Sequence, residues 1–299
     1  MLKSVLKRTL WPPHMLNAIK ASKNRKSLSR AEEDPQLKLY DKILKTDFLH
    51  YGYFTHPDIN PEKISLEDIR QAQQNYADLI INQVTIDKGN VLDVGCGMGG
   101  LIRLLLEQGL TVYGNTPDRL QIDYIKNKYP AAKLIHAKYQ KIETQDYLKH
   151  FDLVIHSESL QYINLDKAIE NTDKILKNDG RWIVVDYFRL ATGHEKSGHL
   201  WDEFAKKIDD GGFKIMYQQD ITENIKPTLR YVHMWGNDIG RPVFDFIVGK
   251  LAVKHPGKHY ILDEVIERIN RKIDKNLKTV DPEIFTKDKK YVLVTLEKK

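Results

Sequence analysis

A glycine-rich segment near residue 95 holds the residues best suited to bind a ligand. Residues 91–100 read VLDVGCGMGG, in which Asp93 interrupts an apolar run and Gly95, Gly97 and Gly99 follow it. A buried strand, a tight turn and a helix start, in that order, bring the backbone against a nucleotide-like ligand in parallel-sheet proteins. Glycine suits such a turn because a side chain would block the ligand and because positive φ angles are common there.

The form hh-D-h-G-x-G-x-G of this segment resembles motif I of the class I S-adenosylmethionine (SAM) methyltransferases. The resemblance implies that the glycine turn passes beneath the methionine and ribose parts of SAM. Two alternatives stay open at this point. Gly95, Gly97 and Gly100 also fit the G-x-G-x-x-G pattern of dinucleotide sites, and the segment could be a crossover without a ligand.

Polar residues follow the second predicted strand, where most SAM enzymes have an acid for the ribose. Here the sequence 114–121 reads GNTPDRLQ, which resembles the variant found in cyclopropane fatty-acid synthases and tocopherol methyltransferases. The resemblance implies neutral hydrogen bonds from Asn115, Thr116 and Gln121 to the ribose and methionine groups. Alternatively, residues 115–117 cap the next helix. The missing acid also weakens the case for a nicotinamide oxidoreductase.

Two further segments match the same family after strands three and four. Lys138 stands where the family usually has an acid for the adenine amino group, and Tyr139 is expected to pack there instead. The sequence 157–162, SESLQY, resembles the S-x-E-x-L-x-H pattern, with Tyr162 in place of histidine. This resemblance places Glu158 and Tyr162 over the cofactor sulfonium and implies that Ser157 is among the cofactor-binding residues, whereas the alternative is a simple surface loop.

An aromatic segment upstream completes the expected cofactor site. Residues 50–54 read HYGYF and resemble the H-x-G-Y-aromatic segment of tocopherol-, sterol- and polyketide-type methyltransferases, which folds over the cofactor. Tyr51 and Tyr53 are therefore expected to contact SAM, since aromatic faces attract a sulfonium. Buried helix-end packing is the alternative. Residues 220–229 resemble the D-x-T-x-x-V-x-P segment of the same group.

Methyl transfer requires alignment of the acceptor, and it requires a base only if the acceptor loses a proton. Four candidates for such a role lie near the expected site: Glu158, Tyr162, His194 and His199. A metal site is not expected, because the chain has one cysteine and no H-E-x-x-H pattern.

The elements that must position these residues alternate between strands and helices. The pattern predicts an α/β fold, a Rossmann-like seven-stranded, mostly parallel sheet with helices on both faces. After the strand at 91–94, further strands are predicted at 111–114, 133–137, 151–156, 181–186, 213–217 and 291–296, and helices at 65–84, 117–128, 165–176 and 261–277, with a turn at 178–180. The last strand is expected to run against the others.

Four regions are predicted along the chain. They are a basic tail (1–40), a SAM-binding core with an N-terminal helical cap (41–221), a helical insert (222–288) and the final strand of the core (289–299). The insert is a candidate substrate lid because it follows a strand at the ligand-binding edge of the sheet. A dimerisation element is the alternative, and the oligomeric state stays open.

Charge and cysteine content limit the partners. The 299 residues carry a net charge of +6, but the first thirty contain eight Lys or Arg and no acid, so the remainder is nearly neutral. This distribution argues against a nucleic-acid groove. The tail is compatible with a solvated segment, peripheral contact with an anionic membrane, or an organellar presequence. The single Cys96 fits a reducing compartment, so a cytoplasmic or membrane-associated location is expected.

The sequence thus predicts a SAM-dependent methyltransferase that acts on a small or lipid-like molecule by in-line transfer. The basic tail and the aromatic residues of the insert (Tyr231, Trp235, Phe244 and Phe246) favour a lipid or isoprenoid acceptor. Two alternatives remain: methylene transfer to a lipid alkene, as in cyclopropane fatty-acid synthases, and a non-catalytic SAM-binding or partner-binding protein. The methylated atom, C, N or O, is left open.

Overall fold

The computed structural model describes residues 44–191 and 197–299, together with positions 13, 16 and 20. Within these residues one sheet has seven strands: β1 (Asn90–Val94), β2 (Thr111–Asn115), β3 (Lys133–Ile135), β4 (Phe151–Ser157), β5 (Leu176–Arg189), β6 (Phe213–Asp220) and β7 (Lys289–Lys298). Their order across the sheet is β3-β2-β1-β4-β5-β7-β6. The predicted basic tail lies almost wholly outside the described residues.

Nine helices accompany the sheet in the described ranges: α1 (Leu66–Ile81), α2 (Gly100–Glu107), α3 (Arg119–Lys128), α4 (Leu165–Ile175), α5 (Trp201–Asp210), α6 (Thr222–Trp235), α7 (Arg241–Lys254), α8 (Pro256–Thr279) and α9 (Pro282–Asp288). A π-helical segment, Gly236–Gly240, joins α6 to α7. None of the described helices is both long and apolar enough to cross a bilayer.

The sheet places its ligand-binding edge at the ends of β1 and β4. The chain runs outward from β1 through β2 to β3 and then returns to the other side of β1 as β4, with all these pairs parallel. Ligands bind at such a reversal of strand order because the flanking loops diverge there. β7 lies between β5 and β6 and is antiparallel to both, which confirms the expected direction of the last strand.

Alternating apolar residues cover both faces of the sheet. On β5, Trp182 and Val184 face one apolar cluster, whereas Ile183 and Val185 face the other. Side chains alternate in this way because successive residues of a strand point to opposite faces. The predicted α/β class, with helices on both faces, is therefore confirmed.

Several predicted element limits were wrong for local reasons. The helix predicted from Pro117 begins at Arg119, because the Asp118 side chain accepts hydrogen bonds from the N–H groups of Leu120 and Gln121 at 2.8 and 3.4 Å and acts as the N-cap. β3 ends at Ile135, before the predicted limit.

The expected turn at 178–180 lies inside β5, where the register with β4 shifts. β6 continues to Asp220 instead of ending at Tyr217, because its polar final residues pair with β7. In both cases long-range strand pairing extends an element beyond its apolar segment.

An extended segment before α1, residues 44–54, is here named the strap. Gln73 of α1 donates hydrogen bonds to the carbonyl oxygens of Phe48 and His50 at 3.2 and 2.8 Å. The Thr228 hydroxyl of α6 accepts from Gly52 N at 3.1 Å and lies 3.2 Å from the Gly52 carbonyl oxygen. The strap is therefore attached to α1 on one side and to α6 on the other.

The insert is helical, and α8 contains the helix predicted at 261–277. α7 and α8 contact each other, but neither contains a fully buried residue. The division of the chain into four regions, and the role of the insert as a lid, remain predictions.

The contact of Thr228 with the strap can be tested by Thr228→Val. This change keeps the shape but leaves both polar groups of Gly52 without their side-chain partner, which costs about 1–3 kcal/mol of unfolding free energy. Urea unfolding measures the loss. Thr55→Val, at an exposed position of the neighbouring loop, should change stability little, and an equal loss in both variants would contradict the assigned contact.

Candidate active site

A cavity of about 380 Å³ opens at the ends of β1 and β4, beneath the strap. The glycine turn forms its floor, and the strap contributes Asp47, Phe48, Leu49 and His50 to its wall. The remaining lining comes from Asp93, Cys96, Leu101, Thr116, Pro117, Asp118, Gln121, Ser157, Glu158, Ser159 and Tyr162. Most of the residues predicted from motif I and from the segments after the second and fourth strands therefore meet in one place.

A second cavity of about 320 Å³ continues toward β2 and β3. It shares Gly95, Pro117, Ser159 and Tyr162 with the first cavity, so the two cavities are adjacent. Its other walls are Val94, Asn115, Lys138, Tyr139, Gln140 and Ile163. The two cavities together offer room for an elongated ligand that runs from the glycine turn to the end of β3.

The glycine turn adopts a backbone that other residues disfavour. Gly95, Gly97 and Gly99 have φ angles of 76°, 54° and 85°. A Cβ atom on Gly95 would lie 2.4 Å from the Ser159 Cβ, which is closer than such atoms approach. Gly99 is the N-cap of α2 and supplies no side-chain cap, so the N–H groups at the start of α2 can bind a ligand.

The Asp93 carboxyl group lies at the inner wall of the cavity. Asp93 is 2% exposed, and burial raises the pKa of its carboxyl group to about 7. The Oδ2 atom is buried and has no hydrogen-bond partner among the described residues. A buried acceptor without a donor is costly, so this oxygen is suited to a donor or a positive charge on a ligand.

The polar residues after β2 are fixed by neighbouring contacts. The Asn115 side-chain amide donates to the carbonyl oxygens of Ile135 and Ala137 at 3.0 and 2.9 Å, which explains why β3 ends early. The Thr116 hydroxyl donates to Gln121 Oε1 at 2.6 Å. Thr116 and Gln121 thus act as a pair, and the Gln121 amide nitrogen is not used in that bond.

Tyr139 packs into the core beside the second cavity. Its hydroxyl forms a 2.7 Å hydrogen bond with Thr172 of α4, and its ring meets His156 edge-on. Lys138 is exposed at the mouth of the second cavity. These two residues therefore border the space expected for adenine without offering it a side-chain acceptor.

Glu158 occupies a strained position between three distant parts of the chain. Its φ angle is 49°, unusual for a residue with a side chain. The carboxylate Oε1 accepts hydrogen bonds from Tyr51 N at 2.8 Å and from the Tyr291 hydroxyl. Burial raises its pKa to about 7, against the lowering effect of both donors. Such a carboxyl group can gain or lose a proton near neutral pH.

Hydroxyl groups extend this contact into the core. The Tyr291 and Tyr76 hydroxyls lie 3.0 Å apart, and the Ser157 hydroxyl donates to that of Tyr76 at 3.3 Å. The Ser157 side chain is therefore turned toward Tyr76, even though the residue lines the cavity.

Asp186, at the level of Glu158 on β5, was not predicted as a site residue. It is 1% exposed and accepts hydrogen bonds from the N–H groups of Gln161 and Tyr187 at 3.0 and 2.8 Å. Burial first, and then the nearby Glu158 charge, raise its pKa to about 8. Asp186 holds the loop after β4 in place, and no sequence motif marked it.

His50 is a second residue that the predicted site set omitted. Its Nδ1 lies 2.7 Å from the Tyr51 carbonyl oxygen. Because a carbonyl can only accept, Nδ1 carries the proton and Nε2 is an acceptor. Nε2 is buried without a partner in the described structure, the ring stacks on Tyr76 at 4.1 Å, and burial lowers the pKa to about 4. The imidazole is thus neutral.

Other predicted residues lie away from the cavities. Tyr51 and Tyr53 pack against the core, and neither lines the two cavities described above. The His199 Nε2 lies 3.0 Å from the carbonyl oxygens of both Leu160 and Ile163, so it fixes that loop. His194 lies outside the described residues. Tyr162, by contrast, lines both cavities and is 78% exposed.

The described residues contain no group of three His, Cys, Asp or Glu side chains that could hold a metal ion.

Comparison with known proteins identifies the domain. Residues 92–184 match a family model described as "Methyltransferase domain". That match starts in β1 and ends in β5, so it contains the glycine turn and the Glu158 loop. The chain carries a class I SAM-dependent methyltransferase domain. The protein is an enzyme that uses SAM as methyl donor.

Individual relatives of this methyltransferase are distant. An O-methyltransferase of Pyrenophora dematioidea is 23% identical over 70% of this chain and 84% of its own length. Sterol 24-C-methyltransferase of Candida albicans is 23% identical over 66% of this chain, which spans only 60% of that relative. The solved geranyl diphosphate C-methyltransferase of Streptomyces coelicolor A3(2) has a TM-score of 0.65 and 14% identity, covering 91% of this chain and 96% of that one.

The donor set of the methyltransferase cavity fits SAM. The unpartnered Asp93 oxygen suits the ammonium group of the methionine part, and the absence of a side chain at Gly95 lets the Ser159 loop pack against the glycine turn.

Gly95→Ala tests the close approach at the glycine turn. The new methyl group meets Ser159 and requires a strained backbone, so SAM affinity should fall at least about tenfold, as a misfit of roughly 1.4 kcal/mol implies. Isothermal titration calorimetry measures the affinity. Gly109→Ala is the matched control because Gly109 has a φ of 82° but open space around it; loss of SAM binding there as well would contradict the account.

The raised pKa of Glu158 predicts a pH dependence of stability without ligand. The folded protein holds this proton up to about pH 7, whereas the unfolded chain releases it near pH 4. Its stabilising contribution is therefore complete below pH 4 and is lost as the pH rises through 7. Between pH 6 and 8 the melting temperature of the wild type should fall by about 2–4 °C more than that of Glu158→Gln. The control Asp210→Asn, at an exposed site, should show the same change of melting temperature with pH as the wild type. An equal change in the wild type and Glu158→Gln would contradict the assignment.

Proposed function

We propose that this methyltransferase transfers the SAM methyl group to a small, lipid-like molecule beside Glu158. When bound, SAM supplies an electrophilic methyl group. The chain's own contribution is to align the acceptor, to exclude water with the strap, and to hold a proton acceptor at Glu158. The observation that carries the proposal is the partly buried Glu158 carboxyl group, with a pKa of about 7, at the wall of the cavity.

The surroundings of Glu158 support a role in proton removal. The Tyr291 hydroxyl and the Tyr51 N–H hold Oε1, while Oε2 has no donor among the described residues and is the atom suited to the acceptor's proton. His50 Nε2 offers a second acceptor on the same wall, but its low pKa makes it the weaker base. Tyr162 covers the cavity from outside and is proposed to exclude water once a ligand is bound.

The proposed cofactor contacts follow the cavity from end to end. Asp93 and the three glycines hold the methionine part, and Thr116 with Gln121 binds polar groups of the ligand at the middle. Asn115, Lys138 and Tyr139 border the adenine part. His199 acts as a positioning residue through the Leu160 and Ile163 carbonyls. Roles for His194 and direct contacts of Tyr51 and Tyr53 with SAM stay predictions.

Two features favour a lipid-like acceptor. The relatives include enzymes named for sterol and geranyl diphosphate methylation. The helices after β6 also carry exposed apolar side chains, among them Val232 and Trp235, that could cover an apolar molecule. The match covers only 60% of the sterol methyltransferase, so the acceptor is a proposal for this chain.

The proposal predicts that Glu158→Gln uncouples binding from turnover. Loss of a proton acceptor should lower kcat by about 10²–10⁴-fold, while SAM affinity changes little because the amide can keep the Oε1 contacts. The assay incubates the enzyme with methyl-labelled SAM and a panel of sterols and isoprenoids, and it counts label in the organic phase. Glu143→Gln, outside both cavities, serves as the control.

The alternatives give different results in the same assay. A non-catalytic SAM-binding protein would bind SAM but transfer no label to any acceptor. Methylene transfer would place the label in a cyclopropane ring, which nuclear magnetic resonance of the product distinguishes from a methyl group. Full turnover by Glu158→Gln would contradict the assigned proton acceptor.

A further inference from the structure

The outward face of α7 combines exposed apolar side chains with lysines. Val243, Phe246, Ile247 and Val253 are 51, 66, 58 and 84% exposed. With a repeat of 3.6 residues per turn, these positions share one face of the helix with Lys250 and Lys254. The Lys250 Nζ lies 5.5 Å from the centre of the Phe246 ring, so apolar and charged groups are interleaved.

The start of α8 follows the end of α7 after one residue and adds two more exposed side chains. Tyr260 and Ile261 are 83 and 62% exposed. Between residues 246 and 262 the sequence has three lysines and two histidines but no Asp or Glu. We name this set, the outward face of α7 with the start of α8, the hairpin surface.

The hairpin surface is not needed to hold α7 and α8 together. The less exposed apolar residues of the two helices include Phe244, Val248 and Leu251 of α7 and Ile266 and Ile273 of α8. By helical spacing, the three α7 residues of this group fall on the opposite side of α7 from Phe246 and Lys250. Four exposed apolar side chains on one helix face are unusual unless that face binds something.

We propose that the hairpin surface docks on a lipid bilayer that contains anionic lipids. Phe246, Val253 and Ile261 enter the boundary between headgroups and acyl chains, and Tyr260 lies at the level of the headgroups. Lys250 and Lys254 remain at the surface and are attracted by the negative charge of the lipids.

Charge argues against the other occupants of such a surface. In a twofold contact between two copies of the chain, the same lysines would face one another without an acid among residues 246–262 to pair with them. A nucleic acid would use the lysines but would leave the apolar side chains in water. An anionic bilayer satisfies both kinds of side chain. The inference does not depend on the acceptor of methyl transfer.

The test is co-sedimentation of the full chain with lipid vesicles. We expect binding to phosphatidylcholine vesicles that contain about 30% phosphatidylserine, and weaker binding to phosphatidylcholine alone. Lys250→Glu/Lys254→Glu should lower the affinity at least about tenfold, since each lysine near the surface contributes a several-fold gain. Phe246→Ser/Val253→Ser should lower it by a similar factor.

Matched variants separate this surface from general effects of charge and hydrophobicity. Lys206→Glu/Lys214→Glu makes the same charge change at exposed positions of α5 and β6, and Leu148→Ser/Met216→Ser removes apolar groups that are each 51% exposed. Both controls should bind vesicles as the wild type does. Circular dichroism and SAM binding confirm that each variant is folded.

Three results would overturn the proposal. The first is that the full chain does not bind anionic vesicles. The second is that the hairpin variants bind as well as their controls, so that another segment makes the contact. The third is that light scattering shows a dimer which the hairpin variants convert to monomer while vesicle binding is absent.

Discussion

The Glu158 carboxylate is the contact that joins the strap, the loop after β4 and the last strand. It accepts hydrogen bonds from Tyr51 N and the Tyr291 hydroxyl, residues 107 and 133 positions away. A buried carboxyl group needs such donors, because without them its desolvation is costly. Both donors are available only when the strap lies across the cavity and β7 is inserted beside β5. The same contact therefore closes the site and fixes the proposed proton acceptor.

Acidic groups with raised pKa values line or underlie one end of this site. Asp93, Glu158 and Asp186 have pKa values near 7, 7 and 8 because they are buried with few or no cationic partners. Such a site is suited to a ligand that brings its own positive charge, as SAM does with its sulfonium and ammonium groups. The strained φ of Glu158 and the unpartnered Nε2 of His50 belong to the same region. Local strain and unmet hydrogen bonds are typical of binding sites that their ligand completes.

The sequence allowed prediction of the elements whose signals are local. The alternation of strands and helices predicted the sheet. The sequence pattern also predicted the position of the glycine turn, and it predicted that Thr116 and Gln121 lie in the same site. Asp118 was missed as a helix cap because Pro117 offered a competing start signal. Asp186 and the strap residues Asp47 and Phe48 could not be found in this way. Asp47, for example, is held by Tyr124 and Lys128 at 2.8 and 2.7 Å, contacts that cross about eighty residues and follow no fixed spacing.

The central claim is that one elongated cavity between the strap and the glycine turn binds SAM. A crystal structure of the complex with S-adenosylhomocysteine tests it most directly. The account predicts the methionine part above Gly95 with its ammonium group at Asp93, the sulfur beside Glu158, and the adenine between Asn115 and Tyr139. A ligand bound elsewhere, or one that lies in this cavity with its ends reversed, would contradict the account.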